Sequence, residues 1–145
     1  LKLLEPHRVI VQASPFDFYE EYQRLKSVSL EVGATATFVG TVRDLNDGDE
    51  VAGLKLEHYP GMTEKQLATI ELEAQKHWPI DDSLIIHRYG RLKPGDQIVL
   101  VATAATHRHA ALEACAFIIE QLKTRATFWK EETTPQGRRW VEPLR

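Results

Sequence analysis

SLIIHRYGRLKPGDQIVLVATAA, residues 83–105, reads as two strands around a turn. SLIIHRYGRL (83–92) and QIVLVATAA (97–105) flank Lys93-Pro94-Gly95-Asp96, whose Pro-Gly pair reverses a chain, so the two segments are expected to form an antiparallel hairpin. The second segment is apolar on both faces, the pattern of a strand with neighbours on either side and layers above and below. It is expected to be central. Thr106 then stands as the cap of a long helix, about His107 to Arg125, with Ala110, Ala114, Phe117, Ile118 and Leu122 facing inward.

Upstream, RVIVQA (8–13) reads as a short strand. Ser14-Pro15 has the form of an N-cap with proline at the first helical position, and Phe18, Tyr22 and Leu25 fall on one helical face. VGATATFVGTVR (32–43) alternates as a half-buried strand and runs into the polar, glycine-containing loop DLNDGDE (44–50). VAGLKLEHY (51–59) is the next strand. Pro60-Gly61 ends it, and Thr63-x-x-Gln66 has the form of a capping box for a helix striped by Leu67, Ile70, Ala74 and Trp78 and stopped by Pro79. The tail FWKEETTPQGRRWVEP holds a short strand and a turn. This order predicts an α+β domain in which a mainly antiparallel sheet packs with three helices.

Composition sets the outer limits. The 145 residues suit one domain that buries roughly two thirds of its unfolded surface. Hydrophobic content of 43% and charged content of 27% are ordinary for a globular chain, and the net charge of −3 offers no global field for nucleic acid. The one cysteine, Cys115, rules out an intramolecular disulfide and fits a reducing, cytoplasmic setting. It lacks the neighbours of a zinc site and reads as a packing residue. No apolar run reaches the ~20 residues of a membrane span. Leu1 rather than Met leads the chain, so a few native residues are expected ahead of it.

Three places are candidates for chemistry, each with a simpler structural account beside it. The helix start ATHRHAA combines free N–H groups with His107 and Arg108, a credible site for a phosphate, while a solvated surface pair is the simpler reading. Arg43 ends a strand beside a loop, where an anion clamp is one reading and an exposed arginine paired with Asp44 or Asp47 is the simpler one. LKTRATFWK (122–130) sets Lys123 in the last helical turn, where a cation suits the dipole, and Lys130 after Phe128-Trp129. Desolvation by the aromatics, or a nearby cation, lowers a lysine pKa and readies it for proton transfer or attack. Glu57 and His58 fall on opposite faces and make no dyad, and His87 reads as a satisfied core histidine.

LEHYPGMTEK (56–65), IIHRYGRLKPGD (85–96), THRHAALEACAFIIEQLKTRATFWKEE (106–132) and GRRWVE (137–142) closely resemble the large, catalytic subunit family of molybdopterin synthase. The resemblance runs in order from about residue 8 to 142. It departs at Thr127, where the family usually has proline, and at the end, where many members run on past Arg145. The resemblance implies an α/β hammerhead-like single domain over 1–145 that dimerises and binds two copies of a small ubiquitin-like sulfur carrier, making a heterotetramer. The carrier's C-terminal Gly-Gly ends as a thiocarboxylate, and sulfur passes to cyclic pyranopterin monophosphate to form the dithiolene of molybdopterin. No metal and no cofactor is expected. By the same resemblance Lys123 and Lys130 are catalytic. Arg43, His107 and Arg108 belong to the substrate's phosphate pocket, with Arg108 serving the neighbouring subunit, and Phe38 and Ile119 lie near the carrier's tail. The competing expectation is a non-catalytic dimeric module that docks a ubiquitin-like tail by strand addition.

Overall fold

Strand β8 (Gln97–Ala105) lies inside a four-stranded sheet of order β1-β6-β8-β2, as its two apolar faces require. The computed structural model describes residues 6–46, 49–50 and 53–141. β6 (Ile80–Arg88) and β2 (Ala34–Thr41) flank β8 antiparallel, and β1 (Arg8–Gln12) joins β6 in the sheet's one parallel pair. Because side chains alternate, the sheet has two cores. Ile85 and Val101 face helices α2 (Met62–His77) and α3 (Arg108–Arg125), together with Leu67, Ile70, Ala114 and Ile118. Leu84, Ile86, Leu100 and Ala102 face α1 (Phe18–Lys26) through the fully buried Leu25. Burial of each such aliphatic side chain contributes roughly 1.5–3 kcal/mol. The Thr103 hydroxyl donates to the Ala111 carbonyl at 2.7 Å and fixes α3 on β8.

The expected hairpin differs in one respect. Residues 83–92 are not one strand, because Gly90 takes φ 91°, a left-handed conformation that costs a glycine little. Past it, β7 (Gly90–Leu92) leaves the first sheet and pairs with β5 (Gly53–His58). A second sheet of order β10-β9-β5-β7 results, with β9 (Phe128–Thr134) and β10 (Gly137–Val141). Val42, Leu54, Leu56 and Leu92 form its core and join it to the end of β2. Within the segment read as a polar loop, β3 (Leu45–Asn46) pairs with β4 (Asp49–Glu50). Asp47, offered above as a partner for Arg43, lies outside the described residues. No helix among the described residues is long and apolar enough to cross a membrane.

All three helix starts shift, by one to three residues. Asp17 rather than Ser14 caps α1, its Oδ1 accepting from Glu20 N at 3.0 Å. Phe18 and Tyr22 stack on the surface at 6.4 Å, leaving Leu25 as the buried member of that stripe. α2 opens at Met62 after Gly61, whose N–H donates to Glu64 Oε2 at 3.1 Å; Thr63 and Gln66 bond elsewhere. His107, not Thr106, is the N-cap of α3, and it makes no side-chain capping bond.

A buried polar group ties β1 to this framework. His7 N–H donates to Asp82 Oδ1 at 2.6 Å, and His7 Nδ1 meets the Ser83 hydroxyl at 2.7 Å. Glu71 beside them is only 5% exposed, and burial pushes its pKa up to about 7 despite the opposing hydrogen bond from Ser83. A carboxyl raised in the fold stabilises below its unfolded value of 4.5 and loses that contribution as pH rises through about 7. From pH 4 to 8 the wild type therefore loses about 3 kcal/mol that Glu71→Gln keeps. Burial lowers the His7 pKa, which acts in the opposite direction, so the comparison with Glu71→Gln isolates the carboxyl. Denaturant midpoints of both proteins across that range check the difference, and parallel curves refute it.

Candidate active site

β2 and α3 both run antiparallel to β8, so they point the same way. Ala34 pairs with Ala105 at one end of the sheet, next to the start of α3, and Thr41 pairs with Gln97 at the other. Arg43, just past β2, and Lys123, in the last turn of α3, therefore arrive at the same end of the molecule. The chain leaves α3 through Ala126, at φ −89° and ψ 136°, and enters β9. There Phe128 pairs with His58 and Lys130 with Leu56. Directly opposed residues share a face, so Phe128, Lys130 and Glu132 lie on the side of the buried Leu54 and Leu56.

Lys130 is thus a half-buried ammonium on an inner face. Its pKa is lowered first by burial, and the cations of Arg43 and Lys123 push the same way while Glu132 opposes them. Arg43 and Lys123, singled out from two other segments, thus lie near enough for their charges to act on Lys130. Beside Arg43 opens a cleft of about 510 Å³ lined by Val42, Arg43, Asp44, Pro94 and Gly95. Backbone bonds hold its walls: Val42 N–H donates to Asp96 O at 2.9 Å and Gly95 N–H to Val42 O at 2.8 Å.

The expectation that both aromatics, Phe128 and Trp129, desolvate the neighbouring lysine is corrected. Alternation turns Trp129 to the outer face, where it is 42% exposed, and only Phe128 stays inside. His87 supplies the second wall, stacked on Phe128 with ring centres 3.7 Å apart. His87 Nδ1 lies 2.8 Å from the Arg88 carbonyl, which only accepts, so Nδ1 carries the proton. Burial first, with Lys130 and His58 adding to it, drives the His87 pKa down to about 4. The imidazole is neutral in ordinary buffers and adds no charge beside Lys130. His58 leans on Tyr89 at 4.3 Å and closes the same aromatic group. Nothing in the local sequence marks His87 for this place, because its neighbour Phe128 is distant along the chain.

His107 and Arg108 sit at the other end of α3. They line a separate cavity of about 480 Å³ with Gly33, Thr106 and His109. Gly33 is required there, since a Cβ would stand 2.3 Å from the Thr106 carbonyl oxygen. Fifteen residues of helix separate Arg108 from Lys123, about 22 Å at 1.5 Å per residue. One chain does not bring these two groups together. Phe38, 38% exposed, pairs with Val101 and lies on the α3 side of edge strand β2, and Ile119 packs half-buried from α3 onto the same core. Cys115 is buried with its pKa pushed up to about 11, an unreactive packing thiol.

Comparison with known proteins matches residues 11–125 to the family described as MoaE protein. The chain belongs to the MoaE family. A molybdopterin synthase catalytic subunit from Ralstonia nicotianae is 53% identical over 132 residues, covering 91% of this chain and 75% of the relative. Among solved structures, a molybdopterin biosynthesis MoaE protein from Burkholderia ambifaria superposes with a TM-score of 0.83 at 51% identity, covering 94% of this chain and 90% of the other. A protein–protein complex of subunits 1 and 2 of molybdopterin-converting factor from Helicobacter pylori shares the fold at 23% identity, with a TM-score of 0.76 and coverage of 92% and 90%. The MoaE family is that of the molybdopterin synthase catalytic subunit, a sulfurtransferase of molybdenum cofactor biosynthesis.

Proposed function

We propose that this chain transfers sulfur from the C-terminal thiocarboxylate of a small ubiquitin-like carrier, ending in Gly-Gly, to cyclic pyranopterin monophosphate. Two rounds yield the dithiolene of molybdopterin. One observation carries the reading: in a chain of the MoaE family, Arg43 past β2 and Lys123 at the end of α3 arrive at the same end of the molecule, next to Lys130 on the inner face of β9. A pocket of three cations suits a substrate phosphate and two anionic stages of the reaction.

In the first stage the thiocarboxylate sulfur forms a bond to a carbon of the substrate while the carbon–oxygen bond at that carbon breaks, the oxygen leaving as water or with the phosphate. In the second, water adds to the acyl carbon, an oxyanion forms, and the carbon–sulfur bond breaks to leave sulfur on the pterin and a carboxylate on the carrier. Lys123 stabilises that oxyanion or moves the proton at the carbon under attack. Lys130 holds the carrier's terminal carboxylate and the substrate phosphate, and Arg43 clamps the phosphate. The carrier's tail runs past Phe38 and Ile119, and the two-subunit complex of the Helicobacter pylori relative supports such a partner. His107 and Arg108 complete the phosphate pocket of the neighbouring subunit, so the working unit is a homodimer within a heterotetramer. The separation of about 22 Å along α3 supports that division.

Incubation with thiocarboxylated carrier and cyclic pyranopterin monophosphate tests the reading, with dithiolene product measured. Product formation is expected. Binding of both without product leaves a docking module, and binding of neither removes the reading altogether.

A further inference from the structure

Between α3 and β9 stands Thr127, a residue in neither element. Both of its backbone groups are nevertheless bonded, and both partners are side chains of α2. Its N–H donates to Gln66 Oε1 at 2.8 Å, and its carbonyl accepts from the Thr63 hydroxyl at 3.0 Å. Thr63 is itself fully buried, and its Oγ1 accepts from Tyr59 N–H at 3.0 Å, so the hydroxyl has one orientation left. Arg125 bonds Glu73 and Gln121, which ties the last turn of α3 to α2 as well. On one side of Thr127, α3 is packed on the first sheet; on the other, β9 is paired with β5 and Phe128 is stacked on His87. The chain from Lys123 to Lys130 passes through this junction, so its backbone angles bear directly on where Lys130 stands relative to Lys123.

We infer that Gln66 and Thr63 are positioning residues: they bolt the Thr127 junction to α2 and so fix the separation and direction between the ammonium groups of Lys123 and Lys130. This rests on the reading that the two lysines work in one pocket. Among the described residues the hydrogen bonds of these two side chains go to backbone groups of Thr127 and Tyr59 and none to Lys123, Lys130 or Arg43, so each acts through the backbone of Thr127. The joint has a second solution. Ala126 at φ −89° and ψ 136° already has the conformation that precedes a proline comfortably, and a proline at 127 needs no acceptor for an N–H. A ring in place of the Gln66 bond is expected to hold the same joint.

Three variants test this: Gln66→Met, of similar size without an acceptor; Gln66→Glu, which keeps one; and Gln66→Met combined with Thr127→Pro. Two readouts are taken, the kcat and KM of dithiolene formation at saturating carrier, and the pH dependence of amine labelling at Lys130 followed by mass spectrometry. Gln66→Met is expected to lose about tenfold in kcat with KM nearly unchanged, on the scale set by sub-ångström misplacement of a reacting group. Its Lys130 labelling curve shifts with it. Gln66→Glu stays near wild type, and the double variant recovers most of the lost kcat. A wild-type kcat and labelling curve in Gln66→Met overturn the inference, as does an equal loss in Gln66→Met and Gln66→Glu. Failure of the lysine reading shows separately, as undiminished turnover in Lys123→Ala; the labelling curves still report on the joint.

Discussion

Lys123→Ala is expected to lower dithiolene formation by at least ~10²-fold, the scale of losing a preorganised donor to an oxyanion. The substitution leaves the fold almost untouched. Alanine is the best helix former, and the ammonium's interaction with the α3 dipole is worth only about 0.3–1 kcal/mol. Lys123 is also half of no ion pair found among the described residues. The loss is therefore expected in kcat and kcat/KM alike, with carrier binding preserved, the signature of an interaction made in the transition state. Near-normal product formation with purified carrier removes Lys123 from the chemistry.

A second large effect concerns the two ends of α3. Arg108→Ala and Lys123→Ala are each expected to be nearly inactive as homodimers. Coexpressed with different tags and purified as a mixed dimer, they place both defects in one site and leave the other intact. About half of the wild-type turnover then returns, as two-fold symmetry requires when each site draws on both chains. The physical ground is the helix itself, which keeps Arg108 about 22 Å from the Lys123 of its own chain. A mixed dimer as inactive as its parents contradicts the shared site.

Much of this architecture is legible in the sequence, and the exceptions have physical causes. The two apolar faces of 97–105 place β8 at the centre, and the stripe of 110–122 gives α3 and its inner face. The second sheet is not legible, because Ser83–Leu92 keeps a strand's composition throughout and only the φ of Gly90 redirects it. Thr63 and Gln66 have the spacing of a capping box, yet their bonds go to Thr127, more than sixty residues away, and no local pattern reports that. The site follows the same division. By pattern alone the simpler accounts of Arg43 and Lys123 stand, and it is the resemblance that singles out the lysines. What brings Arg43 to the end of the molecule that carries Lys123 is the common direction of β2 and α3, a property of the assembled sheet. Trp129 shows the converse: its neighbourhood with Lys130 in sequence suggests a shared wall, and alternation along β9 places the two on opposite faces.

The proposed sharing of one pocket by Arg43, Lys123 and Lys130 is tested most directly by the titration of Lys130. Followed by NMR of the labelled ammonium, Lys130 is expected to titrate below the ordinary lysine value of 10.5 in the wild type. It is expected to move back toward that value in Arg43→Ala and again in Lys123→Ala, since each removes a cation that disfavours its charge. An ordinary value in the wild type, unchanged in both variants, contradicts the shared pocket.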